Sequence, residues 1–209
     1  MASESQATGG LYIIAAPSGA GKTSLIRELI ATTSSLELSV SHTTRAPRPG
    51  EEDGVHYHFV DPAEFRSSIG RGVFFEYAQV FDNFYGTSRE AVQARTDTGV
   101  DVILEIDWQG ARQIRALMPE VTSVFILPPS LEALRQRLRL RAQDSDEVIE
   151  RRMRDAVGEV SHYEEFDYLI VNDDFDRALA ALRAIIVAHR QRRQVQIPRL
   201  APLLDSLLT

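Results

Sequence analysis

The chain has 209 residues, 23 Lys plus Arg against 30 Asp plus Glu, a formal net charge of −7 and 44% hydrophobic residues. That size and balance fit one soluble globular domain, and the acidic charge speaks against nonspecific nucleic-acid binding, which needs a basic face. No cysteine is present, which excludes disulfides, thiol catalysis and cysteine-ligated zinc.

The opening stretch, Met1 to Gly10, is polar and lacks Lys and Arg, so it does not read as a signal peptide. No apolar run reaches the roughly 20 residues of a membrane span. These features predict a cytoplasmic protein with no membrane partner. An apolar strand, Leu11–Ala16, then breaks into Pro17, Ser18, Gly19, Ala20, Gly21, Lys22 and Thr23, and a helix follows from Ser24 to Ala31. Strand, glycine-rich turn and helix opening on Gly-Lys-Thr are the context of a phosphate-binding P-loop. The glycines let the backbone curl its N–H groups toward an anion, and the helix N-terminus adds positive charge. Lys22 can reach the outer phosphates and the Thr23 hydroxyl can hold Mg²⁺. Ala16 stands where the first glycine of G-x-x-x-x-G-K-[ST] is usual, and being small it still lets the loop close. A chance glycine turn is the plainer reading, but the flanks and the Lys-Thr pair favour a nucleoside triphosphate site on Ala16 to Ser24.

From about residue 38 to 88 the pattern changes. Val55–Val60 alternates like a half-exposed strand, Asp61 with Pro62 and Glu64 forms a helix N-cap, and Val73–Phe81 reads as another strand. A small mixed lobe inserted in the core is predicted. Further on, Val100–Ile106, Val121–Leu127 and Tyr168–Val171 join Leu11–Ala16 as strands expected to be buried on both faces. Helical periodicity follows them at Gln109–Leu117, Leu131–Leu140 and Phe175–His189, the last with a stripe of Leu179, Leu182, Ile185 and Ile186. The alternation predicts an α/β core, a parallel sheet wrapped by helices. Glu105 and Asp107 end one strand, at the sheet edge where substrates collect. An arginine-rich excursion without strands runs from 131 to 165, with Arg137 and Arg141 four apart on one helix face. Beyond Arg190 the pattern carries no clear signal.

Five motifs narrow the choice. They are Ser41-x-Thr43-Thr44-Arg45-x-Pro47-Arg48-x-Gly50-Glu51, Phe74-x-Glu76, Asn83-x-Tyr85-Gly86-Thr87, Ile106-Asp107-x-Gln109-Gly110 and Ile170-Val171-Asn172-Asp173. Together they resemble the guanylate kinases over nearly the whole chain. The resemblance implies a P-loop core (9–37, 89–130 and 166–190), a mixed α+β GMP-binding insert (38–88), a helical arginine-rich lid (131–165) and a tail (191–209). It implies transfer of the γ-phosphate of ATP to GMP with Mg²⁺, in guanine nucleotide biosynthesis and GMP recycling. The partners would be the small molecules ATP and GMP, with a homo-oligomer left open.

Residue by residue, the resemblance assigns the GMP phosphate to Arg45, Arg48, Tyr57 and Tyr85. Two guanidinium forks and two phenols suit a dianionic phosphate, although alone each would read as a solvated loop or a packed aromatic. Guanine falls to Glu76, Ser41 and Thr87. An ionised carboxylate accepts both N1–H and N2–H of guanine, whereas adenine would set an acceptor against it. Asp107 matches the acidic position near substrate and metal, and Glu105 stands where an aspartate is expected. Asn172 and Asp173 match the segment beside adenine. Lys22, Arg45 and the lid arginines Arg137, Arg141 and Arg152 form the charge-neutralising catalytic set, while Arg135, Arg139, Arg151 and Arg154 read as solvated faces paired with acids. The five histidines show no metal-ligand spacing, and Trp108 reads as packing. Two rivals remain: a non-catalytic guanylate-kinase-like module that binds proteins, and a kinase for another nucleoside monophosphate.

Overall fold

The computed structural model describes residues 8–80, 82–140 and 146–209; Phe81 and Arg141 lie outside the described residues. In chain order it opens with β1 (Leu11–Ala15), α1 (Lys22–Ala31), β2 (Leu36–Leu38), β3 (His42–Thr43) and β4 (His58–Phe59). Next come α2 (Pro62–Gly70), β5 (Phe74–Val80), β6 (Asn83–Ser88), α3 (Arg89–Thr96), β7 (Asp101–Glu105) and α4 (Trp108–Leu117). The remainder is β8 (Thr122–Leu127), α5 (Leu131–Leu140), α6 (Asp146–Val160), β9 (Tyr168–Val171), α7 (Phe175–Arg190) and α8 (Arg193–Leu208).

β1 is buried along its whole length because its alternate residues feed two separate cores. Tyr12 and Ile14 pack with Leu25, Ile26 and Leu29 of α1 and with Leu182 and Ile186 of α7. Leu11 and Ile13 face Ala111 and Ile114 of α4, with Phe125 and Phe166. This strand is central to a parallel sheet of order β2-β7-β1-β8-β9. A parallel sheet covered on both faces aligns the carboxyl ends of its strands, so the turn after β1 and the Glu105–Asp107 turn after β7 share one edge.

A second sheet, of order β4-β3-β6-β5, lies between β2 and α3 in the chain. Its β5 and β6 run antiparallel, and a register shift between Phe74 and Glu76 sets Glu76 opposite Thr87. The predicted N-cap holds: the Asp61 side chain accepts from the N–H groups of Ala63 and Glu64, with Pro62 in the first turn. On the other side of the core, α5 and α6 share a small apolar cluster of Leu134, Leu138, Ile149, Met153 and Ala156.

Several expectations need correction. The alternating run Val55–Val60 yields only His58–Phe59 as strand. Local polar groups compete for its backbone: Glu52 carbonyl accepts from Val55 and His56, and Asp53 Oδ1 accepts from Phe59 N–H. β9 was expected to be buried on both faces, yet Tyr168, Leu169 and Val171 are exposed, because β9 is the edge strand. Strands β2, β3 and β6 and helix α3 were not anticipated as elements, whereas α5 and α6 make the expected arginine-rich excursion helical. The stretch past Arg190 is a helix despite Pro198 and Pro202, and it has no buried residue.

Candidate active site

The P-loop follows β1 directly. Gly19 and Gly21 have φ of 93° and 94°, values that only glycine adopts without strain. A β-carbon on Gly21 would also run into the side-chain amide of Asn172. That amide donates to the Ala20 carbonyl at 2.7 Å, and Arg137 of α5 donates to the carbonyls of Ala20 (3.3 Å) and Asn172 (2.8 Å). The Ala20 carbonyl of the loop is thus tied down from the β9 and α5 sides.

At the mouth of the loop, Lys22 opens α1. Its Nζ lies 3.4 Å from the Ile106 carbonyl and 3.9 Å from Glu105 Oε1. The Thr23 hydroxyl donates to Glu105 Oε1 at 2.6 Å. Two residues on, Asp107 caps α4 by accepting from Gly110 N–H, and it takes a second bond from the Gln109 amide, both at 2.9 Å. Hard oxygen donors therefore converge from the start of α1 and the end of β7. Among the described residues no three His, Asp or Glu side chains form a cage. The set suits Mg²⁺, which takes one or two protein oxygens and fills its remaining positions with phosphate and water.

The second sheet presents a different chemistry. Glu76 is only 3% exposed, and Thr87, itself fully buried, donates its hydroxyl to Glu76 Oε1 at 2.6 Å. Ser41 Oγ stands 3.4 Å from that hydroxyl. Burial pushes the Glu76 carboxyl up to about 7, with Asp107 adding to the rise and Thr87 opposing it. The pocket is built around this carboxylate so closely that a β-carbon on Gly110 would collide with it.

Nearer the middle lies a basic and phenolic wall. Arg45 pairs with Glu51 at 2.8 Å and sits 5.4 Å from the centre of the Tyr57 ring. The same Glu51 accepts from the Arg48 N–H at 2.7 Å, so one carboxylate fixes the loop bearing both arginines. The hydrogen bond from Arg45 holds the Glu51 carboxyl below its ordinary range. Tyr57 and Tyr85 rings meet edge to face at 6.0 Å, and burial pushes the Tyr57 phenol up to about 12.

These groups line one cleft of about 650 Å³. Ala16, Pro17, Ser18, Gly19, Gly21, Lys22 and Thr23 form one wall, Ser41, Arg45, Arg48, Tyr57, Glu76 and Tyr85 the other, with Asp107 between them. Thr87 stands behind Glu76. Ala20, Ser24, Asn172, Arg137 and Arg152 are not part of the lining; Ser24 is exposed on α1 and Arg152 is half-buried on α6. Asn172, expected beside adenine, is 5% exposed, and its amide braces the P-loop.

The guanylate kinase family model matches residues 8–189. The chain belongs to the guanylate kinase family. It is 62% identical to the guanylate kinase of Alkalilimnicola ehrlichii, over 96% of this chain and 98% of that one. The guanylate kinase of Methylococcus capsulatus is 60% identical over the same shares. The crystal structure of guanylate kinase from Anaplasma phagocytophilum superposes with a TM-score of 0.76 at 35% identity, over 90% of this chain and 89% of that one.

Within this guanylate kinase framework, three acids escaped the sequence reading or were left without a role. Glu51 closes the motif that begins at Ser41, and its spacing from Arg45 and Arg48 was the available signal. Glu105 stands where an aspartate is expected, and its Oε1 accepts from the Thr23 hydroxyl. Glu159 of α6 accepts from the Ser18 N–H at 3.1 Å, and nothing in its surrounding sequence marks it. The expected solvated pairing of the other lid arginines is seen for Arg135 with Glu150 and Arg151 with Asp155. Trp108 does pack, stacked on His162 at 3.7 Å.

Proposed function

We propose that the cleft binds ATP and GMP together and transfers the γ-phosphate from one to the other. The observation carrying this reading is a single cleft with Lys22 and Thr23 at one wall and a buried carboxylate, Glu76, at the other. The P-loop amides and Lys22 would hold the triphosphate. Arg45, Arg48, Tyr57 and Tyr85 would hold the GMP phosphate, and Glu76 with Ser41 and Thr87 would read guanine.

No protein nucleophile is needed. An oxygen of the GMP phosphate attacks the γ-phosphorus, a new P–O bond forms, and the bond to the β,γ-bridging oxygen breaks to release ADP. Alignment and charge neutralisation are the protein's share of the barrier. Lys22, Arg45 and the lid arginines Arg137, Arg141 and Arg152 would supply positive charge around the equatorial oxygens. Thr23 and Glu105 would hold Mg²⁺, which neutralises phosphate charge when bound. Closure of the insert (38–88) and the lid (131–165) over the core would exclude water, since hydrolysis of ATP is the competing reaction. Membership of the guanylate kinase family supports a role in guanine nucleotide synthesis.

The test is ADP formation from ATP and Mg²⁺ with GMP, dGMP, AMP, CMP and UMP offered separately. Turnover confined to guanine nucleotides, and lost in a folded Lys22→Met variant, is expected. GMP binding without ADP would instead indicate a binding module.

A further inference from the structure

One carboxylate in the cleft belongs to neither nucleotide set. Glu159 is carried by α6, lines the same cleft as Lys22 and Thr23, and accepts from the Ser18 backbone N–H at 3.1 Å. Burial raises its carboxyl above the ordinary range, while Lys22 and the Ser18 N–H pull it back down; Asp107 and Asp155 add negative charge nearby. An acid bonded to a loop whose amides suit phosphate competes for the same donors as a nucleotide.

The helix bearing it is not isolated. Ile149, Met153 and Ala156 of α6 pack on Leu134 and Leu138 of α5. Those two leucines lie against Gly19 of the P-loop, and Arg137 of α5 donates to the Ala20 carbonyl. Glu159 and the arginines Arg137 and Arg152 thus ride on one packed helix pair.

We propose that Glu159 is a lid-borne counter-anion that competes with the phosphates of ATP for the Ser18 N–H and Lys22, coupling ATP binding to lid position. Glu159 is a positioning residue: it acts on the nucleotide through the P-loop and Lys22. The proposal rests on the reading that the P-loop takes the phosphates of ATP. It follows that the carboxylate weakens ATP binding and leaves the GMP wall, on the opposite side of the cleft, unaffected.

Glu159→Gln tests this, because the amide keeps size and an acceptor for Ser18 while removing the charge. Calorimetric titration with ATP, without GMP, should give a Kd about five- to tenfold lower than for the unsubstituted protein. KM for GMP should stay within about twofold of the unsubstituted value, well inside the weakest coupling expected between linked sites. An ATP Kd that is unchanged or higher overturns the proposal and leaves Glu159 as a brace. Should Glu159→Gln fail to fold, Glu159→Ala carries the same expected sign, whereas a brace predicts weaker ATP binding. Lys22→Met in the same titration keeps the two readings apart: undiminished ATP affinity there would remove the P-loop reading itself, whatever Glu159→Gln does.

Discussion

Gly110 lies so close to the Glu76 carboxylate that a β-carbon at position 110 would collide with it. One glycine at the start of α4 thus makes room for the carboxylate proposed to read guanine. Gly110→Ala should push Glu76 out of line and raise KM for GMP at least about tenfold, the scale of an overpacked buried site. ATP affinity, measured by calorimetry, should be unchanged.

The pH dependence of GMP binding follows from Glu76. Its carboxyl titrates near 7 in the fold against an ordinary 4.5, because burial penalises the charged form. In the protein without GMP, this contribution to stability is full below pH 4.5 and is lost as pH rises through 7, by about 3 kcal/mol. Guanine donors favour the ionised form, so KM for GMP should fall as pH rises from 6 to 8. The GMP phosphate also titrates, near about pH 6. Glu76→Gln retains that second ionisation, so a steeper profile in the unsubstituted protein isolates the carboxyl.

Thr23 and Glu105 share a hydrogen bond of 2.6 Å at the expected Mg²⁺ position. Glu105→Ala should raise the Mg²⁺ concentration for half-maximal activity about tenfold or more, as for other oriented metal partners. Titration of activity against free Mg²⁺ at saturating nucleotides checks this. Glu105→Asp should fall between the two, since the shorter side chain must still reach the Thr23 hydroxyl.

Asn172 spends its amide on the Ala20 carbonyl, behind the P-loop. Removing it leaves a buried acceptor with less support, at a cost of about 1–3 kcal/mol. Asn172→Ala should therefore lower the thermal midpoint and raise KM for ATP, with KM for GMP unchanged. A rise confined to KM for ATP without any loss of stability would indicate direct contact with adenine.

How much of this was legible in the sequence depends on the kind of interaction. β1 and α7 were readable because a strand feeding two cores, and a helix with one buried stripe, write their burial into periodicity. Glu76, Arg45 and Arg48 were singled out because their motifs resemble those of the guanylate kinases; alone, the arginines would read as a solvated loop and Glu76 as an exposed strand charge. β9 was misjudged as buried on both faces, since an apolar run does not reveal its place in the sheet order. Val55–Val60 alternated like a strand, but side-chain and carbonyl acceptors from Glu52 and Asp53 captured its backbone. Asn172 bracing Ala20 spans 152 positions, and Glu159 meeting Ser18 spans 141. Contacts of that separation leave no local pattern.

Glu76 is buried in the cleft it shares with the P-loop, and under the proposed function it selects guanine. The most direct measurement compares kcat/KM for GMP with kcat/KM for AMP, in the unsubstituted protein and in Glu76→Ala. The ratio should be large in the former, up to about 10⁴. In the variant it should collapse by about 10²–10³, the loss of two charged hydrogen bonds, with ATP affinity retained. A folded Glu76→Ala protein that still prefers GMP by the original ratio would contradict the account.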